Sequence, residues 1–242
     1  MKQYNFHSLL QFAVVVFLLS SCGNTEVKTT TDTMNTDSTG TTNTTTDVVA
    51  EPTNVMVVTH KVANYQKWKA SYEAHDSMKL ASGIHNYILG RGVEDSNTIM
   101  VAVKIDDFAK AKAFANDPAL KVTMQKSGVI GKPSFKFITL PFLEADDAAS
   151  NIRVMTTHKV KDWESWRKYF EGSKNIRLEN GLSDRAYGYD VDDNHFVTVV
   201  LTVTDTAKAR AFMNSDLLKQ KMTESGVVGK AKRFMYTVAH KY

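Results

Sequence analysis

Cysteine is nearly absent from this sequence, and its scarcity excludes two ways of stabilising a small protein. The one cysteine, Cys22, has no partner for an intramolecular disulfide, and a single thiol is too few for a cysteine-based metal cluster. The histidine, aspartate and glutamate residues show no spacing typical of a metal site either. The sequence therefore predicts no metal centre, and we expect the protein to use no cofactor.

Recognisable catalytic and nucleotide-binding motifs are also missing. No serine or cysteine lies in a nucleophile elbow, and the glycine-containing stretch at residues 128–132 has the wrong spacing for a P-loop. The net charge of +4 is modest, and the basic residues are not interleaved with aromatic ones as in nucleic-acid-binding modules. We expect no nucleic-acid partner.

Long hydrophobic runs are scarce, and the run at residues 12–19 is too short to span a bilayer. It follows Lys2 and has the length of a signal-peptide core. It ends in Leu-Ser-Ser-Cys at residues 19–22, which resembles the lipobox of bacterial lipoproteins. The resemblance implies cleavage before Cys22, acylation of this residue and anchoring in the lipid bilayer of a bacterial cell envelope, on the extracytoplasmic side. The alternative is an uncleaved membrane anchor with an incidental cysteine.

The segment after the cysteine is rich in Thr, Asn, Asp and Ser and has almost no large apolar side chains. Such a composition cannot bury enough apolar surface to offset the entropy of ordering, so we predict a disordered tether. The sequence thus predicts a signal peptide at residues 1–21, followed by the lipidated cysteine and the tether at residues 22–53.

A duplication organises the rest of the chain. Thr-His-Lys-Val occurs at residues 59–62 and again at residues 157–160, and residues 55–140 align with residues 153–238 at a constant offset of 98 (158 − 60) without gaps. About a third of the aligned positions are identical, which indicates a duplicated domain. We predict one repeat at residues 54–141, an acidic linker at residues 142–151 and a second repeat at residues 152–242.

Each repeat follows the same pattern of secondary structure. Asn64 and Asp162 are placed as N-caps of an aromatic-rich helix, and Gly83 and Gly181 are typical of a helix end. The third strand alternates apolar and other residues, with four side chains on one face: Ile99, Val101, Val103 and Ile105. The order β-α-β-β-α-β is the ferredoxin-like unit, so the predicted fold class is α+β.

Together, the His-Lys-Val strand, the tryptophan helix, the Ala-Lys-Ala-Phe helix and the Gly-Val-x-Gly turn resemble the dimeric α+β barrel superfamily, which includes antibiotic-biosynthesis-type monooxygenases and small cyclases. The resemblance implies that the two tandem repeats form one pseudo-dimeric barrel within a single chain. The folded part is therefore expected to be monomeric. A haem-degrading relative uses a Trp and a His on the second helix, but Phe114 and Phe212 occupy that helix in this chain, so haem is not expected.

Two histidines are the candidate catalytic residues. His60 and His158 recur at matched ends of the first strand, where a side chain can border a pocket beneath the helix. A neutral imidazole could act as a general base or as a hydrogen-bond donor there. The alternative is a structural histidine whose nitrogens are satisfied by the local backbone.

Aromatic and histidine side chains near these positions are the candidate ligand contacts. The helical residues could form either the core or a platform for a ligand, and the residues of the second strand differ between the repeats. His85, Tyr87 and Leu89 are spaced two residues apart on the second strand, so we expect their side chains on one face of the sheet. We further predict that the first repeat, which carries His85 and Tyr87, holds the functional pocket. The full predicted set is Trp68, Tyr72, His85, Tyr87, Trp166, Phe170 and Tyr187.

Three functions remain open from the sequence. The first is binding of a small apolar or aromatic ligand in a pocket between helix and sheet. The second is cofactor-independent oxygenation, cyclisation or isomerisation, with His60 or His158 as the acid or base. The third is a structural or interaction lipoprotein whose barrel is filled by side chains.

Overall fold

The structure, a computed structural model, describes residues 51–144 and 150–242. The predicted signal peptide, the lipidation site at Cys22 and most of the tether lie outside these residues. The first repeat contains β1 (Thr53–Val62), α1 (Tyr65–Ala74), α2 (Asp76–Ala81), β2 (Ile84–Gly92), β3 (Thr98–Ile105), α3 (Phe108–Asn116), α4 (Pro118–Lys126) and β4 (Val129–Leu143). The second contains β5 (Ile152–Val160), α5 (Trp163–Gly172), α6 (Lys174–Glu179), β6 (Leu182–Asp190), β7 (Phe196–Val203), α7 (Thr206–Met213), α8 (Asp216–Glu224) and β8 (Val227–Lys241).

Each predicted helical region is a pair of short helices. The first pair in each repeat bends at His75 or Ser173, and the second pair in the first repeat is separated by Asp117 in an extended conformation. The predicted caps are confirmed, because the side chain of Asn64 accepts a hydrogen bond from the Lys67 amide at 2.9 Å and Asp162 caps α5 in the same way. No helix in the described part of the chain is long and apolar enough to cross a membrane.

The eight strands form one closed antiparallel barrel in the order β1-β3-β2-β8-β5-β7-β6-β4. The two repeats meet at two seams, where β2 pairs with β8 and β4 pairs with β6. The fold predicted from the sequence, two ferredoxin-like repeats in one α+β barrel, is therefore confirmed. Closure within one chain leaves no free sheet edge.

The barrel separates the core into an inner and an outer part. One face of every strand points into the barrel, where Val55 and Val57 pack with Tyr236 and Val238 from the other repeat. The opposite face is covered by helices, and each repeat has its own cluster there. The predicted alternation of β3 is confirmed, since its four apolar side chains all belong to the helix-covered cluster: Ile99, Val101, Val103 and Ile105.

Close packing at the two seams explains a repeated glycine. A Cβ at Gly188 would lie 2.0 Å from the carbonyl oxygen of Thr139, and one at Gly90 would lie 2.4 Å from the ring of Tyr236. Only glycine fits at both places. At the second seam β4 continues to Leu143, so Phe142 and Leu143 pair with β6 within the stretch predicted as a linker.

Candidate functional site

Each repeat has a cavity between the outer face of its sheet and its helices. The first-repeat cavity measures about 90 Å³ and is lined by residues that include His60, Trp68 and Tyr72. The second-repeat cavity measures about 120 Å³ and is lined by residues that include His158 and Trp166. Most of the remaining lining is apolar and comes from the sheet and from the second helix pair. Both candidate catalytic histidines thus contact a cavity, as the sequence predicted for strand positions beneath a helix.

The histidines occupy matched irregularities in the sheet. The register of β1 against β4 shifts between Thr59 and Lys61, so His60 has no partner residue on β4, and the register of β5 against β8 shifts around His158 in the same way. Such irregularities redirect a side chain, and they are common at functional sites. Gly131 and Gly229 lie in the facing strands with φ of 72°, a conformation that favours glycine.

Both imidazoles are buried without hydrogen-bond partners. His60 is 6% exposed and His158 is 7% exposed, and none of their four ring nitrogens has a partner among the described residues. Burial lowers the pKa of His60 to about 4, and burial together with the nearby charge of Arg233 lowers the pKa of His158 to about 4. Both rings are therefore neutral at pH 7. Among the described residues, the local backbone supplies neither ring with a hydrogen-bond partner.

Aromatic rings form a wall beside each histidine. In the first cavity the ring of Trp68 lies 5.1 Å from that of His60 and stacks on Tyr72 at 5.2 Å. In the second, Trp166 lies 5.5 Å from His158 and stacks on Phe170 at 5.0 Å. Since both tryptophans are buried and also line the cavities, they belong to the core and provide a flat apolar wall at the same time.

A buried cation lies at the same place in each cavity wall. In the first repeat, Lys79 Nζ lies 2.9 Å from Asn86 Oδ1, 2.7 Å from Asp76 Oδ1 and 3.3 Å from the centre of the Tyr72 ring. Tyr72 in turn donates from its hydroxyl to Asn86 at 2.6 Å. Burial raises the pKa of Tyr72 and lowers that of Lys79.

The second repeat replaces this network with an ion pair. Arg177 donates from Nε and Nη2 to the two carboxylate oxygens of Asp184, each at 2.6 Å, and both side chains are buried. Its guanidinium also lies 3.6 Å from the centre of the Phe170 ring and donates to the Phe170 carbonyl at 2.7 Å. This bidentate geometry satisfies both charges inside the protein.

Three of the predicted ligand contacts lie outside both cavities. His85 is exposed and hydrogen-bonded to Asp106, Tyr87 packs against the barrel interior, and Tyr187 donates to Glu171 at 2.5 Å. The expectation that His85, Tyr87 and Leu89 share one face is wrong, because a register shift between Asn86 and Ile88 reverses the alternation. The other predicted residues come together as expected: Trp68 and Tyr72 in the first cavity, Trp166 and Phe170 in the second.

Sequence reasoning missed several polar residues of the cavities. Lys79 and Arg177 are matched by the offset of 98, and this repetition of a basic residue was the signal that could have found them. Arg233 lines the second cavity, and Phe135 takes its place in the first. His75 also lines the first cavity, where its Nδ1 is 2.6 Å from the Ser71 carbonyl oxygen.

The barrel interior is nearly filled, unlike the space beneath the helices. Its residual cavity measures about 50 Å³, and side chains from both repeats occupy the rest; most are apolar, and the buried Arg153, Arg185 and Thr198 lie among them. A filled barrel favours a structural role, whereas a cavity beside each histidine favours ligand binding. Because the cavities lie outside the barrel, a filled interior leaves ligand binding possible.

Comparison with known proteins gives a fold. No protein-family model matches the chain, and no curated protein matches it. Among solved structures, an anthrone oxidase-like protein superimposes with a TM-score of 0.55 and 12% identity over 80% of this chain and 94% of that one. A candidate monooxygenase from Fusobacterium nucleatum superimposes with a TM-score of 0.52 and 12% identity over 79% of this chain and 94% of that one. A candidate chlorite dismutase superimposes with a TM-score of 0.50 and 11% identity over 78% of this chain and 95% of that one.

These likenesses show a shared fold. At such identities they carry no information about a reaction, because this fold hosts unrelated functions. The function has to be argued from the two cavities.

Proposed function

We propose that this protein binds small, largely apolar or aromatic molecules in its two helix–sheet cavities. The observation that carries the proposal is that His60 and His158 present, at equivalent places, a buried imidazole with no hydrogen-bond partner among the described residues. A buried polar group without a partner costs about 1–3 kcal/mol, and a protein that keeps two of them has a use for them. A bound molecule with one polar group would supply the missing hydrogen bond, while the tryptophan ring contacts its apolar part.

The size of the cavities sets the size of the ligand. An apolar cavity of about 150 Å³ binds benzene, so volumes of about 120 Å³ and 90 Å³ suit a single ring or a short branched chain. The wall of tryptophan and phenylalanine or tyrosine favours a flat molecule.

Mass spectrometry of compounds that co-purify with the full-length protein tests this proposal. We expect a small molecule to be enriched with the native protein and lost from the His60→Leu/His158→Leu double variant. His85→Leu is the matched control, because His85 lies outside both cavities. If no compound is enriched and no aromatic probe binds at millimolar concentration, the proposal is wrong.

A second candidate is cofactor-independent oxygenation, cyclisation or isomerisation, with His60 or His158 as the acid or base. The observation in its favour is a neutral imidazole inside an apolar cavity, on a fold shared with a candidate monooxygenase and an anthrone oxidase-like protein. However, a base whose conjugate acid has a pKa of about 4 is weak at pH 7, which favours binding over chemistry. Oxygen consumption with an anthrone as substrate, lost in both histidine variants, would favour the second candidate.

We further propose that the protein is a lipoprotein, anchored through an acylated Cys22 and held away from the membrane by the tether. The support is the lipobox-like Leu-Ser-Ser-Cys stretch after a short apolar run. Cys22→Ser should leave an uncleaved, unlipidated precursor, detectable by a shift in mass and by loss from the membrane fraction. Normal processing and acylation of this variant would contradict the proposal.

A further inference from the structure

One end of the second cavity is polar where the first is apolar. Thr156 on β5 pairs directly with Arg233 on β8, and both side chains line the second cavity. At the matched positions of the first repeat, Val58 pairs with Phe135, and both line the first cavity. A pair of polar side chains in one repeat thus corresponds to a pair of apolar ones in the other.

Arg233 differs from the other cations of this cavity in its ion pairing with the described residues. Three cations line the second cavity, and two of them have carboxylate partners: Arg177 pairs with Asp184, and Lys221 with Glu224. No carboxylate of the described residues forms an ion pair with Arg233. The lining of the cavity includes no acidic residue, so nothing in its wall would repel an anion.

His158 completes this polar end. It lies two residues from Thr156 on the same face of β5, and its ring nitrogens are unpartnered. The positive charge of Arg233 acts on His158, which is consistent with their being close together in the wall. Guanidinium, hydroxyl and imidazole N–H are three donors that can share the two oxygens of one carboxylate.

We propose that the second cavity binds an aromatic monocarboxylate, with its carboxylate held by Arg233, Thr156 and His158 and its ring against Trp166 and Phe170. The first cavity, with Val58 and Phe135 at this end, takes an uncharged ligand. Arg233 is exposed enough to lie at the mouth of the cavity, so the carboxylate stays close to water while the ring is buried. This inference rests on the proposed function and adds the ligand class for one cavity.

A pair of probes that differ only in charge tests the inference. Binding of 4-trifluoromethylbenzoate and of its uncharged isostere 4-trifluoromethylbenzamide to the full-length protein can be followed by fluorine NMR. We expect the benzoate to bind about tenfold more tightly than the benzamide, because a charge-assisted hydrogen bond is stronger than a neutral one. Added salt should weaken the binding of the benzoate and leave that of the benzamide unchanged.

Substitutions test whether the preference for benzoate comes from Arg233. Arg233→Met should remove the preference for benzoate and leave benzamide binding unchanged. Lys232→Met is the control and should keep the preference for benzoate, because Lys232 is the adjacent cation and does not line the cavity. The reciprocal variant Val58→Thr/Phe135→Arg should give the first cavity the same preference. Thermal unfolding checks that each variant is folded.

The outcomes separate the two proposals. Binding of both probes with equal affinity would overturn the inference and leave the proposed function standing. A preference for benzoate that survives Arg233→Met would also overturn the inference, because the anion would then bind elsewhere. If neither probe binds, the inference fails, and the proposed function fails with it only if no compound co-purifies with the native protein.

Discussion

The two cavities descend from one duplicated sequence, yet they hold a buried cation in different ways. In the first, Lys79 is shared among an amide, an aromatic ring and Asp76, whose side chain is 46% exposed. In the second, Arg177 forms a bidentate pair with Asp184, and neither side chain is more than 8% exposed. The first arrangement disperses its charge towards water, and the second neutralises it inside the protein.

The comparison shows which parts of the site are fixed and which vary. Histidine, tryptophan and the irregular strand register are the same in both repeats. The residues that set polarity differ: Lys79 against Arg177, and Phe135 against Arg233. The shared parts place a cavity at the same position in each repeat, and the variable parts change the polarity of its wall.

The largest effect is expected from separating the repeats. Residues 51–144 or residues 150–242 expressed alone lose the partner strands at both seams and expose an inner sheet face that the other repeat covers. Each should aggregate or self-dimerise, while the whole chain is expected to be monomeric by light scattering. A monomeric isolated repeat with a cooperative unfolding transition would contradict this prediction.

The next largest effect is expected from removing the buried cations. Arg177→Met leaves the buried Asp184 carboxylate unpaired and should cost about 3–5 kcal/mol in the free energy of unfolding. Lys79→Met should cost only about 1–2 kcal/mol, because Asp76 is partly hydrated and Asn86 keeps its bonds to Tyr72 and Asp76. Urea denaturation of the two variants measures the difference. Equal losses would show that the two networks are energetically alike.

Acid should destabilise both cavities. The pKa of each histidine is about 4 in the folded protein and about 6.5 when unfolded, so the unfolded chain binds more protons between these values and stability falls as pH drops from 6.5 to 4. The loss is at most roughly 3 kcal/mol per histidine. The cations Lys79, Arg177, Lys221 and Arg233 line the same cavities, and the charge of Arg233 adds to the cost of protonating His158.

Denaturation curves at pH 7 and pH 4.5 measure this dependence. The His60→Gln/His158→Gln variant should lose less stability over this interval than the native protein. The control is His240→Gln, whose histidine is exposed and should leave the slope unchanged. Identical slopes for all three proteins would mean that neither buried histidine is responsible.

The smallest effect on stability should come from making the histidines apolar. His60→Leu and His158→Leu each remove two buried nitrogens that lack partners, so each should be neutral or stabilise the protein by about 1 kcal/mol. Binding of a polar aromatic probe should fall about tenfold in the altered cavity. A large loss of stability would indicate that the imidazole has a structural role.

Local sequence features predicted much of the fold. The caps at Asn64 and Asp162, the helix ends at Gly83 and Gly181 and the alternation along β3 all depend on residues close together in the chain. The same local patterns placed the histidines beside a cavity. The break in the first helical region was missed, because no proline or glycine marks it at His75.

The sequence by itself determined the repeat, the order of elements and the face that each regular strand buries, because these depend on spacing and on short-range hydrogen bonds. Only the tertiary structure decided the seams, the register shifts and hence which polar side chains meet in a cavity. A shift of one residue in a strand reverses the face of every side chain after it, and this is how Tyr87 and Leu89 came to lie on opposite sides of the sheet. That register is set by pairing between residues far apart in the chain, which no local pattern records.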